Sequence, residues 1–277
     1  MNRSMIVASN TMNQLQKQLD IISNNLANID TNGFKKREAT FTDLLAQSFN
    51  NQPNKNEEIG RLTPNEIRVG VGAKLAQSQM VTKQGSLKQT GRPLDIAFTN
   101  ESQYMKVLVD NNGEGNIRYT RDGALYLSPI NQNEMLLVNS EGYPVLDENN
   151  QMISISGNSS QYTFSSDGRF EVTLTNGQKQ EFNLGIVSVK KPQFLEQMGE
   201  NLLGVPANAG AMVNDILTEL VGPLRNQVSI QQGSLEGSNV NLSKEMTDLI
   251  NVQRSYQFQS KAISLSDQMM GLVNGIR

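Results

Sequence analysis

The sequence predicts an α+β protein: long N- and C-terminal helices forming a coiled coil, with an inserted all-β central domain that is antiparallel and partly closed, like a barrel. Three observations carry this. Apolar residues near the start recur at strictly alternating steps of three and four, at Met5, Ala8, Met12, Leu15, Leu19, Ile22, Leu26 and Ile29. Near the end Leu242, Met246, Leu249, Val252, Tyr256, Ile263, Met270 and Val273 recur at mostly the same steps. Between them lie Asp122-Gly123, Glu141-Gly142, Asp167-Gly168 and Asn176-Gly177, each set between apolar runs. The first two patterns belong to helices with a narrow apolar seam. The third belongs to β-hairpins, whose tight turns need positive φ at their central residues.

Taken in order, residues 1–32 form the first half of an inner coiled-coil domain. Their helix runs from about Ser4 to Ile29, roughly 39 Å at 1.5 Å per residue. It closes at Asn32-Gly33, since Asn and Gly accept the left-handed conformation. Residues 33–94 read as an extended arm and linker. Within it, a short helix is expected over Phe41–Phe49, a polar loop from Asn50 to Pro64, a strand at Ile67, Val69 and Val71, a second alternation from Leu75 to Val81, and a turn at Gln84-Gly85.

The β domain covers residues 95–225 and is opened by the apolar stretch Leu94 to Phe98. Phe170, Val172 and Leu174 alternate with polar residues, as a half-buried strand requires. Residues 204–222 fit either a short helix or a loop. Residues 226–240 read as a return linker. Residues 241–277 then form the second helix, about 33 residues and roughly 50 Å long. Asn239 or Asn241 caps its start, Glu245 in the first turn suits the positive end of the helix dipole, and Gly275 ends it.

Neither helix can bury its seam alone, and a single amphipathic helix is marginal in water. Met12, Leu15, Leu19, Ile22 and Leu26 are therefore expected to face Leu242, Met246, Leu249, Tyr256 and Ile263. The outward faces of that pair would carry Asn24, Asn25, Asn28, Gln253 and Gln257. These amides both donate and accept hydrogen bonds. They make either a solvated face or a lateral contact between identical copies.

Composition excludes several functions. With 277 residues, a formal net charge of -3 and no long run of like charge, the chain offers no nucleic-acid surface. It has no cysteine and no histidine, which removes disulfides, thiolate and imidazole metal sites, and Cys-His or Ser-His-Asp nucleophiles. No glycine pair has phosphate-loop spacing ahead of a helix, so no cofactor is expected. No stretch approaches the roughly 20 apolar residues of a membrane span. No cleavable leader is legible, so these residues alone point to the cytoplasm. A glycan hydrolase could draw on Asp122, Glu141, Asp147 and Asp167. Three of those four adjoin a turn glycine, where acids have conformational reasons to be.

The segments already quoted resemble a known family. LDIISNNLANIDTNGFKKR (Leu19 to Arg37) is similar to the N-terminal signature of the bacterial flagellar axial proteins, the rod and hook family. GSLEGSNVNLSKEMTDLINVQRSYQFQSKAI (Gly233 to Ile263) is similar to its C-terminal signature. GSLKQTGRPLDIAF, YTRDGAL, NSEGYPVL, LGIVSV and LEQMGENLL resemble internal motifs and follow in family order. The short β middle is more like the rod members, including divergent ones from bacilli, than the hook. One departure stands out: LDIAF is followed by TNESQYMKV where the family has a glycine-rich run.

The resemblance implies a structural, non-enzymatic subunit that needs no cofactor. It implies export through the flagellar type III apparatus without a cleaved signal, and residence in the basal body. It implies as partners other copies of the chain in a helical homopolymer, other rod and hook subunits, and the export apparatus. The motif residues it marks are Asn24, Asn25, Asn28, Gly33, Phe34, Ser238, Asn239, Glu245 and Arg254. The segment after Gly33 would be an arm that touches neighbouring subunits, and the terminal helices would be the inner coiled coil.

Overall fold

A computed structural model of the chain describes residues 3–43, 47–50, 66–69, 73–111, 114–131, 133–199, 201–206, 210 and 212–275. The chain begins with α1 (Arg3–Ala27), β1 (Arg37–Asp43), β2 (Gln47–Asn50), β3 (Glu66–Val69) and β4 (Ala73–Met80). Then come β5 (Leu87–Gln89), β6 (Ile96–Phe98), β7 (Gln103–Asn111), β8 (Glu114–Thr120), β9 (Tyr126–Asn131), β10 (Glu134–Val138), β11 (Ser154–Ser156) and β12 (Ser159–Phe164). The middle continues with β13 (Arg169–Leu174), β14 (Lys179–Asn183), β15 (Ile186–Val189), β16 (Glu196–Gln197) and β17 (Leu202–Gly204). It closes with α2 (Val213–Ile216), β18 (Leu217–Glu219), β19 (Ile230–Gln232), β20 (Ser234–Glu236) and α3 (Leu242–Gly275).

These elements form two compact units. One holds Met1–Ala27, Arg37–Gln79 and Asn241–Arg277; the other holds Asn28–Lys36 and Met80–Val240.

In the helical unit α1 and α3 pack side by side. They run antiparallel, because Asn25 near the end of α1 bonds to Glu245 in the first turn of α3. β1 pairs with β4, and β2 pairs antiparallel with β3. The helix expected over Phe41–Phe49 is therefore not there: Phe41 to Asp43 end β1 and Gln47 to Phe49 lie in β2, with 44–46 outside the described residues. Thr40 and Thr42 are β-branched and favour a pleated strand, and β4 supplies the ladder partner that a lone helical turn would lack. The polar loop predicted up to Pro64 lies outside the described residues beyond Asn50, and so does Val71.

The β unit is built on a six-stranded sheet of order β16-β17-β8-β7-β15-β18, antiparallel throughout. Side chains alternate across a strand, and β7 is buried on both faces. Met105 and Val107 enter a large core with Phe98, Leu137, Phe170 and Ile186. Tyr104 enters a smaller one with Val187, Val189, Leu195 and Leu217. A three-stranded sheet, β12-β13-β14, aligns Phe164, Phe170 and Phe182 in register. The Phe164 and Phe170 rings stack with centroids 4.5 Å apart, and cross-strand aromatic pairs of this kind stabilise a sheet beyond simple burial. In the third sheet, β11-β10-β9, the edge strand β9 carries Pro129, where the missing N–H costs no ladder bond.

Three of the four expected turns reverse the chain. Asp167-Gly168 joins β12 to β13, Asn176-Gly177 joins β13 to β14, and Glu141-Gly142 brings Val145 back to bond with Leu137. Asp122-Gly123 does not. β8 pairs with β7 and β17, while β9 pairs with β10. Gly123 is needed for close approach: a Cβ there would lie 1.8 Å from the Ile96 carbonyl oxygen. Gln84-Gly85 is likewise no turn, and a Cβ at Gly85 would lie 1.9 Å from the Gly237 oxygen.

The stretch 226–240, expected as a linker, contains two sheet strands: β19 pairs with β6 and β20 with β5. The undecided 204–222 region supplies α2 and the edge strand β18. Phe170→Ala should destabilise the β unit by about 3–5 kcal/mol, and Gly123→Ala should prevent native packing. By contrast Gly142→Ala, which meets no neighbour, should cost about 1–2 kcal/mol through its positive φ alone. Urea unfolding followed by near-ultraviolet circular dichroism separates the three.

Candidate assembly site

Ala8 and Ile22 are buried, and Met12, Leu15, Leu19 and Leu26 are half-buried. On α3 the covered positions are Glu245, Asp248, Leu249, Val252, Tyr256, Gln259, Ile263, Ser266 and Met270. Leu242, Met246 and Val273 do not join that face, contrary to the expectation from spacing: they stand 49 %, 45 % and 69 % exposed. One residue is 100° of rotation on a helix, and Glu245, not Met246, faces inward.

Glu245 faces inward because of Asn25. That residue is 1 % exposed, so it is not on the outward amide face expected for it. Its Nδ2 donates to the Arg37 carbonyl oxygen at 2.9 Å and to Glu245 Oε2 at 3.2 Å, and its Oδ1 accepts the Arg37 N–H at 2.9 Å. Three of the four hydrogen bonds available to an amide are thus made, and only Asn offers donor and acceptor at this reach. Asn24, Gln253 and Gln257 are exposed, and Asn28 is half-buried and accepts from Thr31 Oγ1 at 3.1 Å. Asn241 caps α3, accepting the Lys244 N–H at 3.1 Å.

The far side of α3 carries a second apolar face. Phe258 is 69 % exposed, and Leu265, Met269 and Leu272 are exposed with it. At 100° per residue these four lie opposite Val252 and Ile263. With 34 residues against 25, α3 is also longer than α1 by roughly 13 Å.

In the β unit Lys35, Arg121 and Glu236 build a buried polar clasp beside the motif residues Gly33, Phe34 and Asn239. Glu236 Oε1 accepts from Lys35 Nζ at 2.7 Å and from the Gly85 N–H at 2.8 Å, and its Oε2 accepts from Arg121 Nε. The Arg121 guanidinium also donates to the carbonyls of Asn100 at 2.9 Å, Glu101 at 3.0 Å and Gln103 at 2.8 Å. Gly33 donates its N–H to the Glu236 carbonyl at 2.7 Å. Its φ is 70° and a Cβ there would sit 2.6 Å from Arg121 backbone, so only glycine fits. Phe34 is buried beside it. Asn239 does not cap α3. It accepts the Lys36 N–H at 2.8 Å and donates to the carbonyls of Val81 at 2.8 Å and Lys83 at 2.9 Å. Ser238 Oγ accepts the Val240 N–H at 3.4 Å.

Burial, with the Arg121 charge beside it, lowers the Lys35 pKa to about 8, against the opposing pull of Glu236. Lys35, Arg121 and Glu236 were not singled out from the sequence. Their only signal there is charge set among motif and apolar residues.

The carboxylates considered for hydrolysis serve their own loops. Asp122 is buried, accepts the Ala124 N–H and the Ser140 hydroxyl, and has its pKa raised by burial. Asp147 accepts the N–H groups of Asn149 and Gln151, and Asp167 that of Arg169. Among the described residues no group of three side chains could hold a metal ion, and no helix is long and apolar enough to cross a membrane.

Fold and site thus define an α+β protein made of a paired-helix unit and a β unit. Comparison with known proteins identifies the kind. The family described as flagella basal body rod protein matches residues 5–35, flagellar hook protein FlgE/F/G D1 domain matches 102–173, and flagellar basal body rod FlgEFG protein C-terminal matches 231–276. The chain is 46 % identical to the flagellar hook-basal body complex protein FlhP of Bacillus subtilis, over 100 % of both chains. It is 33 % identical to the flagellar basal-body rod protein FlgG of Buchnera aphidicola subsp. Schizaphis graminum, over 96 % of each, and 32 % identical to FlgG of Bacillus subtilis, over 98 % and 97 %. The chain belongs to the flagellar basal-body rod protein family, as a structural subunit located in the flagellar basal body.

Asn25→Leu should cost the helical unit about 1–3 kcal/mol, because it strands the Arg37 backbone groups and Glu245; helix ellipticity on heating reads the loss. For Lys35, the folded pKa of about 8 lies below the ordinary 10.5, so the unfolded chain binds more protons in between. Stability therefore rises with pH through that window. The stability of the wild type relative to Lys35→Met should grow from pH 7.5 to 9.5 in urea titrations.

Proposed function

We propose that the chain is a self-assembling rod subunit, of distal type, that stacks into a helical tube and transmits torque from motor to hook. The terminal helices form an inner coiled coil in that tube, built on the seam of Met12, Leu15, Leu19, Ile22, Leu26, Leu249, Tyr256 and Ile263. The chain acts without catalysis or cofactor. Its partners are copies of itself, neighbouring rod and hook subunits, and the flagellar export apparatus that carries it without a cleaved signal. The observation that carries this reading is the second apolar face of α3. A helix already covered on one side by α1 still presents Phe258, Leu265, Met269 and Leu272 to solvent, and an exposed apolar stripe of this kind marks a protein contact. Differing faces that meet head to tail give open filaments, not closed rings.

A second reading makes the chain a proximal-rod or hook-type axial subunit. It draws on the 46 % identity to a protein named for the hook-basal body complex, a name that includes the hook as well as the basal body. Immunogold labelling of purified hook-basal bodies decides between the positions. A clean deletion should abolish hooks and filaments while export remains intact. Leu265→Asp with Leu272→Asp should leave the monomer folded but fail to complement that deletion. Normal motility in the deletion strain would refute the rod role.

A further inference from the structure

We infer that the cleft between α1, β1 and α3 receives Arg254 from a second copy of the chain, and that this ion pair specifies how copies dock. The inference rests on the self-assembly reading and names one of its contacts. The cleft measures about 200 Å³ and is lined by Ile22, Asn25, Arg37, Lys244, Glu245 and Asp248, among others.

Its buried acid is Glu245, 4 % exposed. Oε2 of that carboxylate takes the Asn25 bond, and Oε1 has no hydrogen bond among the described residues. The charged side chains around the cleft are Arg37 and Lys244 against Glu38, Glu245 and Asp248, two cations to three carboxylates. Lys244 is already engaged by Glu38 at 3.3 Å. Oε1 is not among the fully buried unsatisfied atoms and so stays open to the cleft, and a guanidinium, with its rigid fork of donors, matches such an oxygen best.

Arg254 is exposed and makes no hydrogen bond or ion pair among the described residues. It stands one turn from Ile250 and one turn from Phe258, both exposed. Arginine set among exposed aliphatic and aromatic groups is the composition of an interface hot spot. Within one chain it cannot reach Glu245. The two are nine residues apart, about 13 Å along α3 and half a turn around it. The pairing is therefore between copies, and because the donor face and the acceptor cleft differ, it repeats without closing.

The test is a double-mutant cycle in cells, with Glu245→Gln, Arg254→Gln and both together, read as the amount of the chain in purified basal bodies against the amount exported. Glu245→Gln keeps the shape of the cleft and an oxygen for Asn25, and Arg254→Gln lies on an exposed face, so the monomers should unfold within a few degrees of wild type. Each single change is expected to cut incorporation about tenfold without lowering export, and the double change to cut it no further than the worse single. Arg254→Glu should be excluded from basal bodies, whereas Arg254→Lys should be retained in part. Incorporation of Arg254→Glu at the wild-type level, or losses that multiply in the double variant, overturns the pairing and leaves self-assembly standing. Absence of the wild-type chain itself from basal bodies overturns both.

Discussion

The constraint behind this fold is that two helices at opposite ends of the chain have to pair. Asn25 and Glu245 meet across 220 residues of sequence, and closing a loop that long in a flexible chain carries an entropic cost that grows with its length. The β unit removes most of that cost, because its own entry and exit lie side by side. Gly33 bonds to Glu236 and Lys36 to Asn239, while β19 and β20 pair with β6 and β5. Once those bonds form, the segments leading to the two helices start from neighbouring points.

The clasp that joins entry to exit is ionic and buried. Glu236 is shared by Lys35 and Arg121, and the other guanidinium nitrogens of Arg121 donate to the carbonyls of Phe98, Asn100, Glu101 and Gln103. Removing one partner from such a group leaves an uncompensated charge, which is why it tolerates little change. Gly33, Phe34 and Asn239 belong to this same structure. Their value is in holding the chain crossing together.

The helix pair follows a related rule at smaller scale. Its covered face is mainly apolar, with Ser266 buried on α3 and Asn25 meeting Glu245 across the pair, and a polar pair at a seam position sets register at some cost in stability. Leu242 and Met246, on neighbouring positions of the same helix, remain exposed.

Much of the architecture was legible from spacing alone. Alternating steps of three and four located both helices, and the glycine pairs at 142, 168 and 177 located real turns, since these are local properties of neighbouring residues. Sequence by itself likewise ruled out cysteine and histidine chemistry. Tertiary structure decided the rest. Gly85 and Gly123 look like turn glycines but are contact glycines, because what they avoid is backbone distant in sequence. Thr40 and Thr42 sit in a strand because β4 is there to pair with it. Asn25 is inward, and Glu236 is the hub of a charge cluster, because burial and ion pairing depend on which distant segments arrive, and periodicity carries no record of that.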